Sequence, residues 1–340
     1  MRLAFARALC GKKQAARRAG VSAAVSTAAL AVLLLFQAAA AQTTRDRPLV
    51  LVVPFAAGAA NDVLARTLAT KVQDRLGAVV VENKPGGDAA IGAVYVKNAP
   101  RDGRTLLVAP NQYAILAASG RALPYDLLRD FAPVMRTNNL PFFLVVNSAA
   151  LPVRDLAELV RTVRAAPGRY SYGSAGNGSP HQLAMEMLKL SQGLDIVHVP
   201  YKGMAQGIPD LLEGRIQMVI TGLPAVSSQL ASGKLLVLAT VDGVRSPLMP
   251  EAPTFAEAGV KDVRMDVWQG LLAPAGTAPE TIALLHRSFE AALASEDVRR
   301  QLAAQGIDVA PSTPEAFGAL IRGDVDRYAK LLHDAHLSLD

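Results

Sequence analysis

Two stretches place small residues and hydrogen-bonding groups at the end of an apolar run, and both are suited to hold an anion. The first, Pro54-Phe55-Ala56-Ala57-Gly58-Ala59-Ala60-Asn61-Asp62, follows Leu49-Val50-Leu51-Val52-Val53 and precedes Leu64, Leu68, Val72 and Leu76 at four-residue spacing. This pattern predicts a strand, a loop and a helix, with Asn61 as the N-cap and Gly77 as the stop. Backbone N–H groups from Gly58 through Ala59 and Ala60 to Asn61 then stand unpaired at a positive helix end, where they can hold an anion without a cationic side chain. Asp62 has two open roles there. Its carboxylate stabilises the first turn but repels a second anion, so it either turns away to support the loop, the favoured role, or holds water or a ligand ammonium.

The second stretch runs from Gly173 to His181. It offers Ser174, Asn177, Ser179 and His181 as side-chain groups and N–H donors from Ala175 through Gly176 and Asn177 to Gly178. Ser179 as N-cap, Pro180 at the first helical position and Gly193 after the last turn frame a helix. His181 falls in its first turn, where the dipole disfavours protonation, so a neutral hydrogen-bonding role is expected. The glycines do not follow G-x-G-x-x-G and no G-K-[ST] is present, which leaves a phosphate cofactor unsupported; no cofactor is expected. Ser174, His181 and Asp62 are the residue types of a hydrolytic triad. Without G-x-S-x-G or another nucleophile elbow, however, the chain is not expected to be an enzyme. Tyr201-Lys202-Gly203 lies between an apolar run and a helix, which puts Lys202 either against a ligand carboxylate or in solvent. His333 and His336 form H-x-x-H without a third ligand and are expected at the surface, with no metal site.

The elements that must carry these loops alternate between strand-like and helix-like. The pattern predicts α/β architecture with mostly parallel sheets flanked by helices, and ligands beyond the C-terminal strand ends. Asn111, after Thr105 to Val108, and Thr221, after Ile216 to Ile220, stand at such ends. A helix is expected from Pro152 to Arg164, and Met265 to Leu272 reads as a strand that crosses back, with Trp268 on it as a packing residue.

The net charge of +6 suggests nucleic acid or an anionic membrane surface, but its location removes that reading. Six of the 35 basic residues (Arg2, Arg7, Lys12, Lys13, Arg17, Arg18) lie in residues 1–41, which hold no acid; the other 29 balance the 29 acidic residues. No nucleic-acid partner is expected. Residues 1–41 read as a secretory signal peptide: a basic start, an apolar stretch densest at Ala28 to Phe36, and the alanine run Ala38 to Ala41 for cleavage. The single cysteine, Cys10, falls in this leader, so the exported chain carries no thiol and suits the periplasm.

Six segments, in order and including both loops, resemble one family across nearly the whole mature chain. They are Val53-Pro54-Phe55 through Asn61-Asp62, Val81 to Gly86, Asp130 to Pro133, Tyr172 to Gly178, His198 to Gly203 and Gly270 to Thr277. The chain is similar to the Bug family, periplasmic substrate-binding proteins of tripartite tricarboxylate transporters. The resemblance implies a type II periplasmic-binding fold of two lobes joined by two crossover strands: 42–138 with 268–340 as one lobe, 139–267 as the other. It implies a small carboxylate held in the interlobe cleft by Phe55 to Asp62 on one side, and by Ser174 to His181 with Tyr201, Lys202 and Gly203 on the other. A membrane permease is the implied partner and a monomer the expected state, with presentation of the ligand to a sensor protein as the alternative. The sequence departs from the family pattern at Ala59, at Thr221-Gly222 and at Asn111-Gln112-Tyr113, all beside the cleft.

Overall fold

A computed structural model describes residues 47–201, 203–337 and 339. The leader reading of residues 1–41 and the Lys202 assignment lie outside these residues. The run Leu49–Val53 forms β1, and its alternation-free apolar sequence matches burial on both faces. The following helix α1, Ala60–Leu76, turns Leu64, Leu68, Val72 and Leu76 into the core, and Gly77 ends it at φ 78° with its N–H on the Gln73 carbonyl. Asn61 is not the N-cap. The helix begins two residues earlier, with Ala59 at the cap position and no side-chain cap, because the Asn61 amide is drawn into buried partners.

β2 (Val79–Asn83), α2 (Ala90–Lys97), β3 (Thr105–Pro110), α3 (Gln112–Ala118) and β4 (Phe131–Asn139) continue the first lobe. The chain crosses at Leu140–Pro141 into β5 (Phe142–Asn147). The second lobe adds α4 (Leu156–Arg164), β6 (Ser171–Ser174), α5 (Pro180–Gln192), β7 (Val197–Pro200), α6 (Met204–Leu212), β8 (Met218–Gly222), α7 (Ser227–Ala231) and β9 (Leu235–Thr240). Helix α4 starts four residues later than expected, because Asp155 caps it by accepting the Glu158 N–H at 2.7 Å. Helix α5 has the expected frame: Ser179 caps it, Pro180 opens it and Gly193, at φ 60°, closes it. The chain then returns through residues 241–267 to β10 (Trp268–Pro274), α8 (Pro279–Leu293), α9 (Glu296–Ala303), β11 (Asp308–Val309) and α10 (Pro314–Asp334).

The strands form a six-stranded sheet, β11-β4-β10-β3-β1-β2, and a five-stranded sheet, β7-β6-β8-β5-β9. Each is mixed. β2-β1-β3 and β7-β6-β8 are parallel, as helical crossovers require, but β10 and β4 run antiparallel to their neighbours in the first sheet, as do β5 and β9 in the second. The antiparallel members are the strands that carry the chain between sheets, so passing between the lobes reverses the direction of the added strands. The two crossings are tied together: Leu140 N–H donates to the Val267 carbonyl at 2.7 Å, and Val241 N–H to the Phe142 carbonyl at 3.0 Å. Trp268 packs edge-on against Phe317 at 5.1 Å and donates its indole N–H to Asp324 Oδ2 at 2.7 Å, the packing role expected of it. Gly270 beside it is required, since a Cβ there would stand 2.3 Å from the Phe317 ring. One buried cluster runs unbroken from Tyr113 and Phe317 through Trp268 and Met265 to Tyr172 and Leu183, spanning both sheets.

Candidate functional site

The loop between β1 and α1 is closed by its own helix. Asp62 is buried, and its Oδ2 accepts the Gly58 N–H and the Arg66 Nε–H, both at 2.9 Å; its Oδ1 accepts from Asn83 Nδ2 at 2.9 Å. Burial works against the charge, but the hydrogen bonds from Arg66, Gly58 and Asn83 outweigh it and hold this carboxyl below its ordinary range. Asp62 therefore takes the structural role and uses the Gly58 donor. The Ala59 N–H turns to the Ala56 carbonyl at 3.3 Å. Among the described residues, the N–H groups of Ala60 and Asn61 have no acceptor, so the cradle is narrower than four donors. The Asn61 side chain accepts from Gln269 Nε2 at 2.8 Å and donates to the Val108 carbonyl at 3.4 Å, so it braces the loop from below. Phe55 packs on the first-lobe core, and its carbonyl accepts from Asn83.

The loop between β6 and α5 is locked in a parallel way. The Gly178 N–H is taken by Gln182 Oε1 at 2.7 Å, four residues on, just as Asp62 takes Gly58. The Gln182 amide lies 3.3 Å from His198 Nδ1, and His198 Nε2 lies 2.7 Å from Ser174 Oγ, which also accepts the Gly176 N–H at 3.1 Å. If Gln182 donates to Nδ1, the His198 proton is assigned to Nε2 and Ser174 Oγ is free to donate to the Gly176 carbonyl at 3.1 Å, which satisfies the whole relay. Burial lowers the His198 pKa, keeping it neutral as the relay needs. Of the residue types that could make a triad, Ser174 does not meet His181: its partner is His198, on β7, and Ser174 is fully buried. The pair has no carboxylate behind it and no exposed nucleophile, so the triad chemistry lacks its geometry. Ala175 packs against the second-lobe core and Asn177 is exposed, and the N–H groups of both have no acceptor among the described residues.

A cleft of about 290 Å³ lies between the lobes. Four of the sequence candidates line it: Gly58 and Ala60 from the first lobe, His181 and Thr221 from the second. The His181 ring lies tilted against the Phe142 ring at 4.6 Å; its Nδ1 is buried without a partner, and burial pushes its pKa down to about 4, so it is neutral. Three other candidates stand off this cleft. Asn111 donates its N–H to the Trp268 carbonyl and its amide to Tyr328, Tyr201 donates its hydroxyl to Asp210 at 2.7 Å, and Gly203, at φ 134°, begins α6. The sequence reading missed Phe142 and, above all, Gln305 and Gly306, which enter the cleft from the turn before β11. There Gly306 meets Pro224 of the other lobe so closely that a Cβ would lie 2.5 Å from its ring, which makes this turn a contact between the lobes.

Residues 64–337 match the family model described as the tripartite tricarboxylate transporter family receptor. BugT of Bordetella pertussis is 34% identical over 323 residues, 92% of this chain and 99% of BugT. An R. palustris protein solved with adipate is 32% identical with a TM-score of 0.73, over 86% of this chain and 98% of that one. MatC from Rhodopseudomonas palustris, solved with bound malate, is 27% identical with a TM-score of 0.69, over 84% of this chain and 99% of that one. Two α/β lobes around a loop-lined cleft define the class of periplasmic solute-binding proteins. The chain belongs to the tripartite tricarboxylate transporter receptor family. No helix among the described residues is long and apolar enough to cross a membrane.

Proposed function

We propose that this chain, exported by its leader to the periplasm, captures a small carboxylate in the interlobe cleft as a monomer and hands it to a membrane permease without turning it over. The observation that carries the reading is the pair of unpaired N–H groups of Ala60 and Asn61 at the positive end of α1, with Ala60 on the same cleft as His181 and Thr221. Helix-end donors pair with an anion whatever the net charge of the protein, which suits a mature chain with no excess of basic residues. The ordered loops, each pinned by a residue of the helix that follows, present those donors with little ordering cost on binding. The two tied crossings would act as the hinge about which the lobes close, and the permease would recognise the closed form. The adipate and malate bound by structural relatives support a carboxylate. The test is thermal melting of the purified protein with mono-, di- and tricarboxylates, aromatic acids and acidic amino acids. A ligand at 100 times its Kd stabilises by about 2.7 kcal/mol, so at least one acid should raise the melting temperature; no shift with any of them overturns the reading.

A further inference from the structure

We infer that the cleft selects carboxylates with a single negative charge on an apolar body the size of one ring or a short branched chain, and rejects di- and tricarboxylates. The inference rests on the carboxylate reading above and narrows it. Of the described residues that line the cleft, none is Lys, Arg, Asp or Glu. Of the free loop donors, Ala60 lines the cleft with Asn61 next to it at the α1 end, while Ala175 and Asn177 do not line it; across the cleft, His181 presents an imidazole with a buried, unpartnered Nδ1. The rest of the wall is mostly apolar: Val63, Leu140, Pro141, Phe142, Pro224 and Ala225. Arg66, the nearest cation in sequence to the first loop, is held by Asp62 and by Asn83 Oδ1.

Dipoles at one helix end compensate one carboxylate. A second carboxylate on the same ligand would have to give up its hydration against these apolar side chains with no cation to replace it. Discrimination would therefore come from rejection of the second charge more than from extra contacts to the first. The volume, about 290 Å³, lies at the small end of ligand sites, roughly 300–1,000 Å³, and suits a body of this size. This preference differs from that of the relatives solved with adipate and malate, both of which carry two carboxylates.

The test is calorimetric titration of the purified protein with acids matched in length, hexanoate against adipate, and with benzoate and 4-methylpentanoate against malate and citrate. The expected result is monoacid binding at least ~10-fold tighter than binding of the matched diacid. Equal or tighter binding of adipate, malate or citrate overturns the inference while leaving the carboxylate reading intact; silence with every acid in the wider melting panel overturns that reading itself. Ala225→Lys places a cation on the apolar wall and should shrink the hexanoate-to-adipate ratio.

Discussion

Asp62 accepts the backbone N–H of Gly58 at 2.9 Å, so the carboxylate that the loop carries in its own helix fills the place an anion would otherwise take. Asp62→Ala removes three charge-assisted hydrogen bonds from a buried group and should destabilise the protein by about 2–4 kcal/mol. It should also weaken carboxylate binding, because Ala60 and Asn61 lose the support that orients them. Urea denaturation beside a melting titration checks both; wild-type stability in the variant would contradict the assignment.

Ser174 and His198 are close enough to resemble a catalytic pair, yet they are arranged to hold a loop. Ser174→Ala leaves His198 Nε2 without an acceptor and should cost about 1–2 kcal/mol. His198→Ala, which cuts the relay to Gln182 as well, should reduce ligand affinity ~10-fold by loosening the loop before α5. Neither wild type nor variant should hydrolyse carboxylate esters, and ester turnover abolished by Ser174→Ala is the outcome that would reverse the assignment.

A buried carboxyl lies where the chain leaves the second lobe. Asp242, at the end of β9, is buried and leaves Oδ1 unpartnered; Thr240 donates to its Oδ2 at 2.9 Å. Burial, joined by the charges of Asp266 and Asp308, pushes its pKa up to about 7 against the Thr240 hydrogen bond. Because the folded value lies above the unfolded value of 3.8, its contribution to stability is fully present below that value and is lost as pH rises through about 7. Asp242→Asn should therefore raise the melting temperature at pH ~8 by a few degrees and flatten the stability profile between pH ~4 and ~7. A variant whose profile tracks wild type over that range would show that another group titrates there.

Gly306 meets Pro224 across the mouth of the cleft with its φ at 69°. Gly306→Ala meets both the positive φ and the proline ring, and the least costly relief is a slight separation of the lobes. Affinity should fall ~10-fold or more while stability falls by about 1–2 kcal/mol. Small-angle scattering with saturating ligand should report a larger radius of gyration than for wild type; an unchanged radius and affinity would place the point of closure elsewhere.

Legibility in the sequence followed the range of the interactions. Helix α5 could be framed from Ser179, Pro180 and Gly193 because capping is decided within a few residues. The first loop was readable as a strand-to-helix turn, but not which donors stay free, because Asp62 and Gly58 are chemically able to bind either each other or a ligand. Asn61 was misread as a cap because its partner, Gln269, lies 208 residues away. His198 gave no signal inside a strand-like run, and Gln305 and Gly306 reach the cleft from the far end of the chain. The mixed direction of the sheets was hidden for the same reason: strand polarity at β4, β5, β9 and β10 is set by the crossings between lobes and not by any local pattern.

The position of β10 between β3 and β4 also fixes an order of assembly. The second sheet is built from one continuous stretch, residues 142–240, and has all of its strands once that stretch has been synthesised. The first sheet has a gap between β3 and β4 that only Trp268–Pro274 can fill, so its halves cannot join until the other lobe has already emerged from the ribosome. In this protein the part made first is completed last. Until residues 268–274 arrive, the facing edges of β3 and β4 are unpaired, which makes the nascent first lobe the stage at which the chain most needs protection from aggregation.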